Sequence, residues 1–230
     1  DLTFENVSFV YPDSEEAVLE NINFSVKQGE TIAVIGGTGS GKSTIAKLIP
    51  RFYDVSKGEI KLGGVDIRDL KQSELHDLIG YVPQKANLFS GNIRENINYG
   101  SSKNLSDEEI IEALKIAQAW DFVQKLPEDL NEKVSQGGKN FSGGQKQRLS
   151  IARAIASKAP ILIFDDSFSA LDYKTDAKLR AELAIKTKSQ TKFIVAQRVT
   201  SIMQADKIIV LDGGKIVGIG THGELLKNNE

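Results

Sequence analysis

A chain of 230 residues with 40% hydrophobic and 26% charged content holds enough apolar material for one large core, or for a core with a smaller subdomain. The formal net charge of -2, with no lysine or arginine block, gives no ground for a broad electrostatic grip, so no nucleic-acid partner is expected. The lack of cysteine removes disulfides, thiolate metal sites and thiol nucleophiles together. From Leu2 to Val26, strand-like segments at Leu2/Phe4 and Val18 to Val26 are broken by Pro12-Asp13-Ser14 and Gln28-Gly29, which predicts antiparallel sheet. Thr31 to Ile35 reads as a buried strand ending at a glycine-rich loop, and Ser43 to Arg51 follows with helical apolar spacing at Ile45, Leu48 and Ile49. Between Lys85 and Lys158 strand signals nearly vanish. Ser106 with Glu109 forms a capping box for a helix to about Gln118, and Gln145 to Ser157 is predicted as another. Ile161 to Phe164, Lys192 to Val195, Lys207 to Leu211 and Lys215 to Ile219 read as strands, with a helix from Asp172 to about Lys186. Alternating strands and helices predict a largely parallel sheet with helices on both faces. Apolar runs such as Ile161 to Phe164 fall far short of the ~20 residues that span a bilayer. The opening Asp1-Leu2-Thr3-Phe4 has neither a methionine nor a signal-peptide profile, and we read the sequence as a piece of a longer polypeptide.

Gly36-Gly37-Thr38-Gly39-Ser40-Gly41-Lys42-Ser43 satisfies G-x-x-x-x-G-K-[ST] between a predicted strand and a predicted helix, as a phosphate loop requires. Glycines let successive backbone N–H groups turn toward a polyphosphate, the helix start adds its positive end, and the Lys42 ammonium suits the terminal phosphates. Ser43 is the candidate magnesium ligand of the loop, and Thr44 completes the nucleotide-binding set. Ile161-Leu162-Ile163-Phe164-Asp165-Asp166 is an apolar strand ending in two carboxylates, and strand C-termini of a parallel sheet face the ligand crevice. Asp165 therefore suits the magnesium shell, and the two motifs together imply ATP or GTP with Mg2+. No Asn-Lys-x-Asp run is present to select guanine, so ATP is expected.

Phe141-Ser142-Gly143-Gly144-Gln145, followed by Lys146-Gln147-Arg148, resembles the signature sequence of the ABC ATPases. Ser142 can cap a helix, the two glycines expose backbone N–H groups, and the helix start attracts anions, giving a second phosphate-binding surface. Two such surfaces beside one phosphate loop suggest nucleotide sandwiched between two molecules, and the resemblance implies the head-to-tail version of that arrangement. It covers essentially the whole chain. It implies a P-loop NTPase (RecA-like) core with a mainly parallel sheet, an N-terminal antiparallel β subdomain and an inserted α-helical subdomain. Within a single ABC ATPase domain over 1–230, the core is expected over 1–84 and 158–230 and the helical subdomain over 85–157. Tyr11 matches the aromatic that stacks on adenine, and Gln84 in Tyr81-Val82-Pro83-Gln84 matches the glutamine that links magnesium to the helical subdomain and the transmembrane partner. Ser169-Ala170-Leu171-Asp172 matches the D-loop of the dimer interface, with Asp172 also expected to cap the following helix.

Two positions depart from the family pattern in one site. Family members usually carry glutamate after the magnesium-linked aspartate, where it acts on the attacking water; this chain has Asp166, one methylene shorter. A misplacement of ~1 Å can cost ~10²-fold in rate, so slow turnover is expected at a site that still binds ATP. Where a histidine usually contacts the terminal phosphate stands Gln197, which can donate a hydrogen bond but cannot be cationic. Together these resemble the degenerate site of heterodimeric ABC exporters, in which the signature of one chain completes the active site of the other. The implied partners are a second ABC nucleotide-binding domain of a different subunit and a transmembrane domain of the same polypeptide. The implied place is the cytoplasmic face of the cell membrane. The alternative is a self-sufficient homodimeric ABC ATPase. Gln136 stands where exporters usually carry glutamate, His76 and His222 lie outside the motifs, and Trp120 reads as core.

Overall fold

The computed structural model describes residues 1–228 except Gly100 and Ser102. In chain order the elements are β1 (Leu2–Val10), β2 (Ala17–Val26), β3 (Thr31–Gly36), α1 (Lys42–Leu48), β4 (Lys57–Leu62), β5 (Val65–Asp66), α2 (Gln72–Asp77) and β6 (Ile79–Val82). There follow β7 (Gly91–Asn92), α3 (Ile93–Asn98), α4 (Asp107–Ile116), α5 (Trp120–Val123), β8 (Lys133–Val134), α6 (Gly143–Ala156), β9 (Ile161–Asp165) and α7 (Tyr173–Lys186). The last are β10 (Thr191–Val195), β11 (Lys207–Asp212), β12 (Lys215–Gly220) and α8 (His222–Asn228). The chain divides into two compact units, residues 1–79 with 189–230, and residues 80–188.

In the first unit an antiparallel sheet runs in the order β2-β1-β4-β5. Alternation along β1 buries Leu2, Phe4, Val7 and Phe9, and Phe4 faces Phe24 across the ladder with the two rings stacked at 4.4 Å. The register slips between Phe4 and Val7, where Asn6 takes a φ of 50°, so a bulge carries the strand on to Val10, well beyond the Leu2/Phe4 segment that alternation alone suggested. The same unit contains strands in the order β12-β11-β3-β10, with β3 parallel to both β10 and β11 and β12 antiparallel at the edge. Ile32, Ala33 and Val34 are fully buried, which is why β3 reads as an unbroken apolar run. Helix α1 stops at Leu48, short of the predicted Arg51, because Pro50 follows and Arg51 adopts a φ of 57°.

In the second unit all five residues of β9 are buried and its neighbour is β6. Helix α6 packs against α3 and α4. Three helices start where the sequence places their caps: Ser106 on α4, Ser142 on α6 and Asp172 on α7. The ladder of β7 with β8 was not anticipated, since two residues on each side carry no readable period. Trp120, expected in the core, is only half-buried at the start of α5. Among the described residues no helix is long and apolar enough to cross a membrane.

Candidate functional site

The glycine-rich segment spans the gap between β3 and α1. Gly36 pairs with Leu211 of β11, and a Cβ at Gly36 would lie 2.3 Å from Leu211 O and 2.6 Å from Ser40 Oγ, so only glycine fits. Gly37, Thr38 and Gly39 are exposed, and nothing lies within 4 Å of a Cβ built on either glycine. The loop's backbone is therefore open to a ligand on that side. Lys42 donates from Nζ to Gly36 O and to Gly37 O, both at 2.7 Å, which folds its ammonium back over the loop. No side chain caps α1, whose N-cap is Gly41. Ser43 is half-buried on the first turn, whereas Thr44 is buried and its hydroxyl meets the Tyr11 phenol at 2.9 Å. That contact sets the Tyr11 ring beside the loop, where it packs edge-on to Phe9 at 4.8 Å and Tyr53 at 5.2 Å. Gln197 is exposed and lies two residues beyond the pair Val195–Val34, just as Gly36 does on β3, so it shares the phosphate-loop end of these strands.

In the second unit the acids at the end of β9 sit in a tightly bonded turn. Asp165 is 3% exposed and accepts a hydrogen bond on Oδ2 from the Tyr81 phenol at 2.9 Å. Asp166 is 6% exposed, adopts a φ of 48° and accepts on Oδ2 from Gln84 Nε2 at 3.0 Å. Ser167 donates to Val82 O at 2.8 Å and Ser169 donates to Asp166 O at 3.0 Å. Gln84 and Asp166, assigned separate roles from sequence, thus bond each other directly.

The signature is a capping box: Ser142 Oγ accepts from Gln145 N at 3.2 Å, and Gln145 Oε1 accepts from Ser142 N at 2.9 Å. Ser142 and Gly143 are exposed, while Phe141 is buried against Phe122 at 6.3 Å between centroids and serves as an anchor. Arg148 supports this end of α6: it donates to Gly144 O at 3.3 Å and Gln118 O at 2.8 Å, stands 4.8 Å over the Phe122 ring, and has its pKa lowered by burial. A Cβ on Gly144 would lie 3.5 Å from Ala170 O, so the signature and the D-loop are neighbours. Of the D-loop residues Ser169 and Ala170 are exposed and Leu171 is buried. Asp172 caps α7 by accepting from Thr175 N at 2.9 Å and Thr175 Oγ1 at 2.7 Å, and these bonds hold its carboxyl below the usual range.

The ABC transporter family profile matches residues 19–169. The chain belongs to the ABC transporter family. This ABC domain is 43% identical over 227 residues to an ATP-dependent lipid A-core flippase of Albidiferax ferrireducens, covering 99% of the chain and 39% of that protein. It is 46% identical over 229 residues to an uncharacterized ABC transporter ATP-binding protein of Bacillus subtilis, covering 100% of the chain and 39% of that protein. A solved structure of a bacterial Atm1-family ABC exporter with ATP bound aligns with a TM-score of 0.95 at 38% identity, over 100% of this chain and 40% of that one. The domain thus spans about two fifths of the length of these relatives. Its fold is the mixed α/β P-loop NTPase-like ABC fold, and ATP hydrolysis coupled to transport is the activity expected of the family.

The residues present fit a magnesium–nucleotide. Ser40, 5% exposed inside the loop, has a buried Oγ with no hydrogen-bond partner among the described residues, as befits a loop completed by a ligand. Taken separately, the loop carries hydroxyl oxygens and the acid turn carries carboxylate and amide oxygens, each a hard donor of the kind magnesium takes. Sequence reasoning missed Tyr81, Ser167 and Arg148. Tyr81 and Arg148 stand within the quoted motifs but received no role there, because the importance of all three arises from which strand or helix lies next to which.

Proposed function

We propose that this chain is the ATP-binding domain of an exporter, pairing head to tail with a second, different ABC nucleotide-binding domain, and that its own site binds ATP but turns it over slowly. Supporting an exporter are the relatives, a lipid A-core flippase and an Atm1-family exporter, together with the fraction of their length that this domain spans. The transmembrane domain and the place at the cytoplasmic face of the membrane belong to the same proposal. Both compact units are read as parts of one ABC ATPase domain.

When bound, ATP and Mg2+ supply the phosphoryl group and the charge around which two domains close. Residues 36–44 bind the polyphosphate through backbone N–H groups, with Lys42 as the loop's cation. Tyr11 offers a ring face to the adenine, and Ser43, Gln84 and Asp165 hold the metal. Phe141 to Gln145 serve the partner's nucleotide: Phe141 anchors the segment, and Ser142 and Gly143 present it to solvent. Ser169 to Asp172, neighbours of Gly144, belong to the same surface.

The single observation carrying slow turnover is Asp166, a short carboxylate that is buried and bonded to Gln84, in a chain where Gln197 replaces a titratable side chain. A group that moves a proton from water must reach it within about 2.6–3.2 Å, and a shortened side chain already engaged by an amide does this poorly. The test is steady-state ATPase activity of the chain, alone and mixed with intact partner domains over a range of concentrations, for wild type and for Asp166→Glu with Gln197→His. Low activity alone, raised by the double substitution or by a partner, is expected. Brisk turnover by wild type alone overturns the proposal in favour of a self-sufficient homodimeric ATPase.

A further inference from the structure

We propose that Tyr81 is a positioning residue for the metal-binding carboxylate of Asp165, an inference that rests on the nucleotide reading above and adds a residue to it. Tyr81 lies on β6, the strand beside β9, and its phenol reaches Asp165 Oδ2 at 2.9 Å. Asp165 is 3% exposed, so bulk water cannot supply this donor. An O–H donating to a carboxylate is charge-assisted and stronger than a neutral hydrogen bond. The terminal torsion of an aspartate is otherwise broad and two-fold, and a bond to one oxygen fixes the plane in which the carboxylate meets a cation.

The donor is held as firmly as the acceptor. One residue before Tyr81, a Cβ on Gly80 would lie 2.8 Å from Leu162 Cδ2 and 3.0 Å from Ala154 O, so β6 runs tight against β9 and α6. One residue after it, Val82 O accepts from Ser167 Oγ at 2.8 Å, which ties β6 to the turn that follows Asp165. The phenol–carboxylate bond is thus bracketed by close packing on one side and a buried hydrogen bond on the other. Two effects oppose each other at a metal: the phenol withdraws charge from the carboxylate, and it orients it. Orientation dominates where the ligand is buried and cannot be reoriented by water, and loss of such outer partners typically costs about 10–100-fold in metal affinity.

The experiment measures binding of a fluorescent ATP analogue first in EDTA and then with saturating Mn2+, for wild type, Tyr81→Phe and Ser167→Ala, with the EPR spectrum of the bound manganese. Tyr81→Phe is expected to bind nucleotide as wild type does in EDTA, to lose about 10-fold or more of the gain that Mn2+ confers, and to show a broadened manganese spectrum. Ser167→Ala, which removes the neighbouring bond without touching Asp165, is expected to melt earlier while keeping most of the metal-dependent gain. The proposal is overturned if Tyr81→Phe keeps the full gain, if it loses EDTA binding as well, if Ser167→Ala loses as much, or if wild type shows no gain. Wild type that binds nucleotide neither in EDTA nor with Mn2+ refutes the nucleotide reading itself, which sets that failure apart.

Discussion

Two glycines of the phosphate loop separate folding from binding, and alanine at each tests the local geometry. At Gly36 the new methyl would stand 2.3 Å from Leu211 O, a backbone atom held in the β3–β11 ladder, so neither side can give way. Overpacking typically costs about 1–3 kcal/mol, and a clash with paired backbone belongs at the upper end, so Gly36→Ala is expected to lose about 3 kcal/mol. At Gly39 nothing lies within 4 Å of the methyl, and the cost is that of a φ of +76°. A left-handed backbone costs a non-glycine residue roughly 1–2 kcal/mol. Gly39→Ala should therefore lose no more than about 1–2 kcal/mol, less than Gly36→Ala, yet place a methyl in the open space at the mouth of the loop and weaken ATP binding at least ~10-fold, the equivalent of about 1.4 kcal/mol. Urea denaturation gives the first quantity and titration with an ATP analogue the second. A Gly36→Ala stability within about 1 kcal/mol of wild type, or unchanged ATP affinity in Gly39→Ala, refutes the reasoning.

Asp172→Ala removes the cap of α7 and is expected to lower stability at pH 7. The cap lowers the Asp172 pKa on folding, so its contribution is complete above the ordinary aspartate range and is lost as pH falls through the lower folded value; urea melts of wild type and variant should converge in acid. Arg153 donates to Asn96 O at 2.8 Å, Asn96 Oδ1 at 2.9 Å and Asn87 O at 3.1 Å, and burial pulls its pKa down to about 10. Arg153→Met should lose about 2 kcal/mol, three bonds forfeited against a relieved desolvation cost, and Arg153→Lys should recover only part because lysine lacks the planar fork; denaturation of the three proteins checks the order.

What the sequence made legible is what depends on neighbours in the chain. The capping boxes at Ser106 and Ser142 and the cap at Asp172 each involve bonds spanning three residues, so residue type and spacing specify them. The phosphate loop is local for the same reason, with Lys42 reaching only to Gly36 and Gly37. Tyr81 and Asp165 are 84 positions apart, and Gln147 reaches Pro83 O across 64, so their pairing follows from strand order and helix packing rather than from any pattern. The short β7–β8 ladder was invisible because two-residue strands have no period. The extension of β1 to Val10 was hidden by a bulge, which shifts the alternation by which strands are read.

The same geometry bears on how the restoring substitution at Asp166 must be read. Its carboxylate is 6% exposed, rises from a residue at a φ of 48° and already accepts from Gln84 at 3.0 Å. Glutamate adds a methylene inside this turn, and either the carboxylate advances past the amide or the amide retreats. Aspartate tolerates the left-handed conformation better than glutamate, because its short side chain can bond locally. Asp166→Glu is therefore expected to lose about 1 kcal/mol of stability even if it gains turnover. Two effects of opposite sign make the experiment decisive: a rate that rises in a less stable protein cannot come from improved folding, and must come from the longer carboxylate reaching the water. A rate that stays flat while stability falls means that the length of this side chain does not limit turnover.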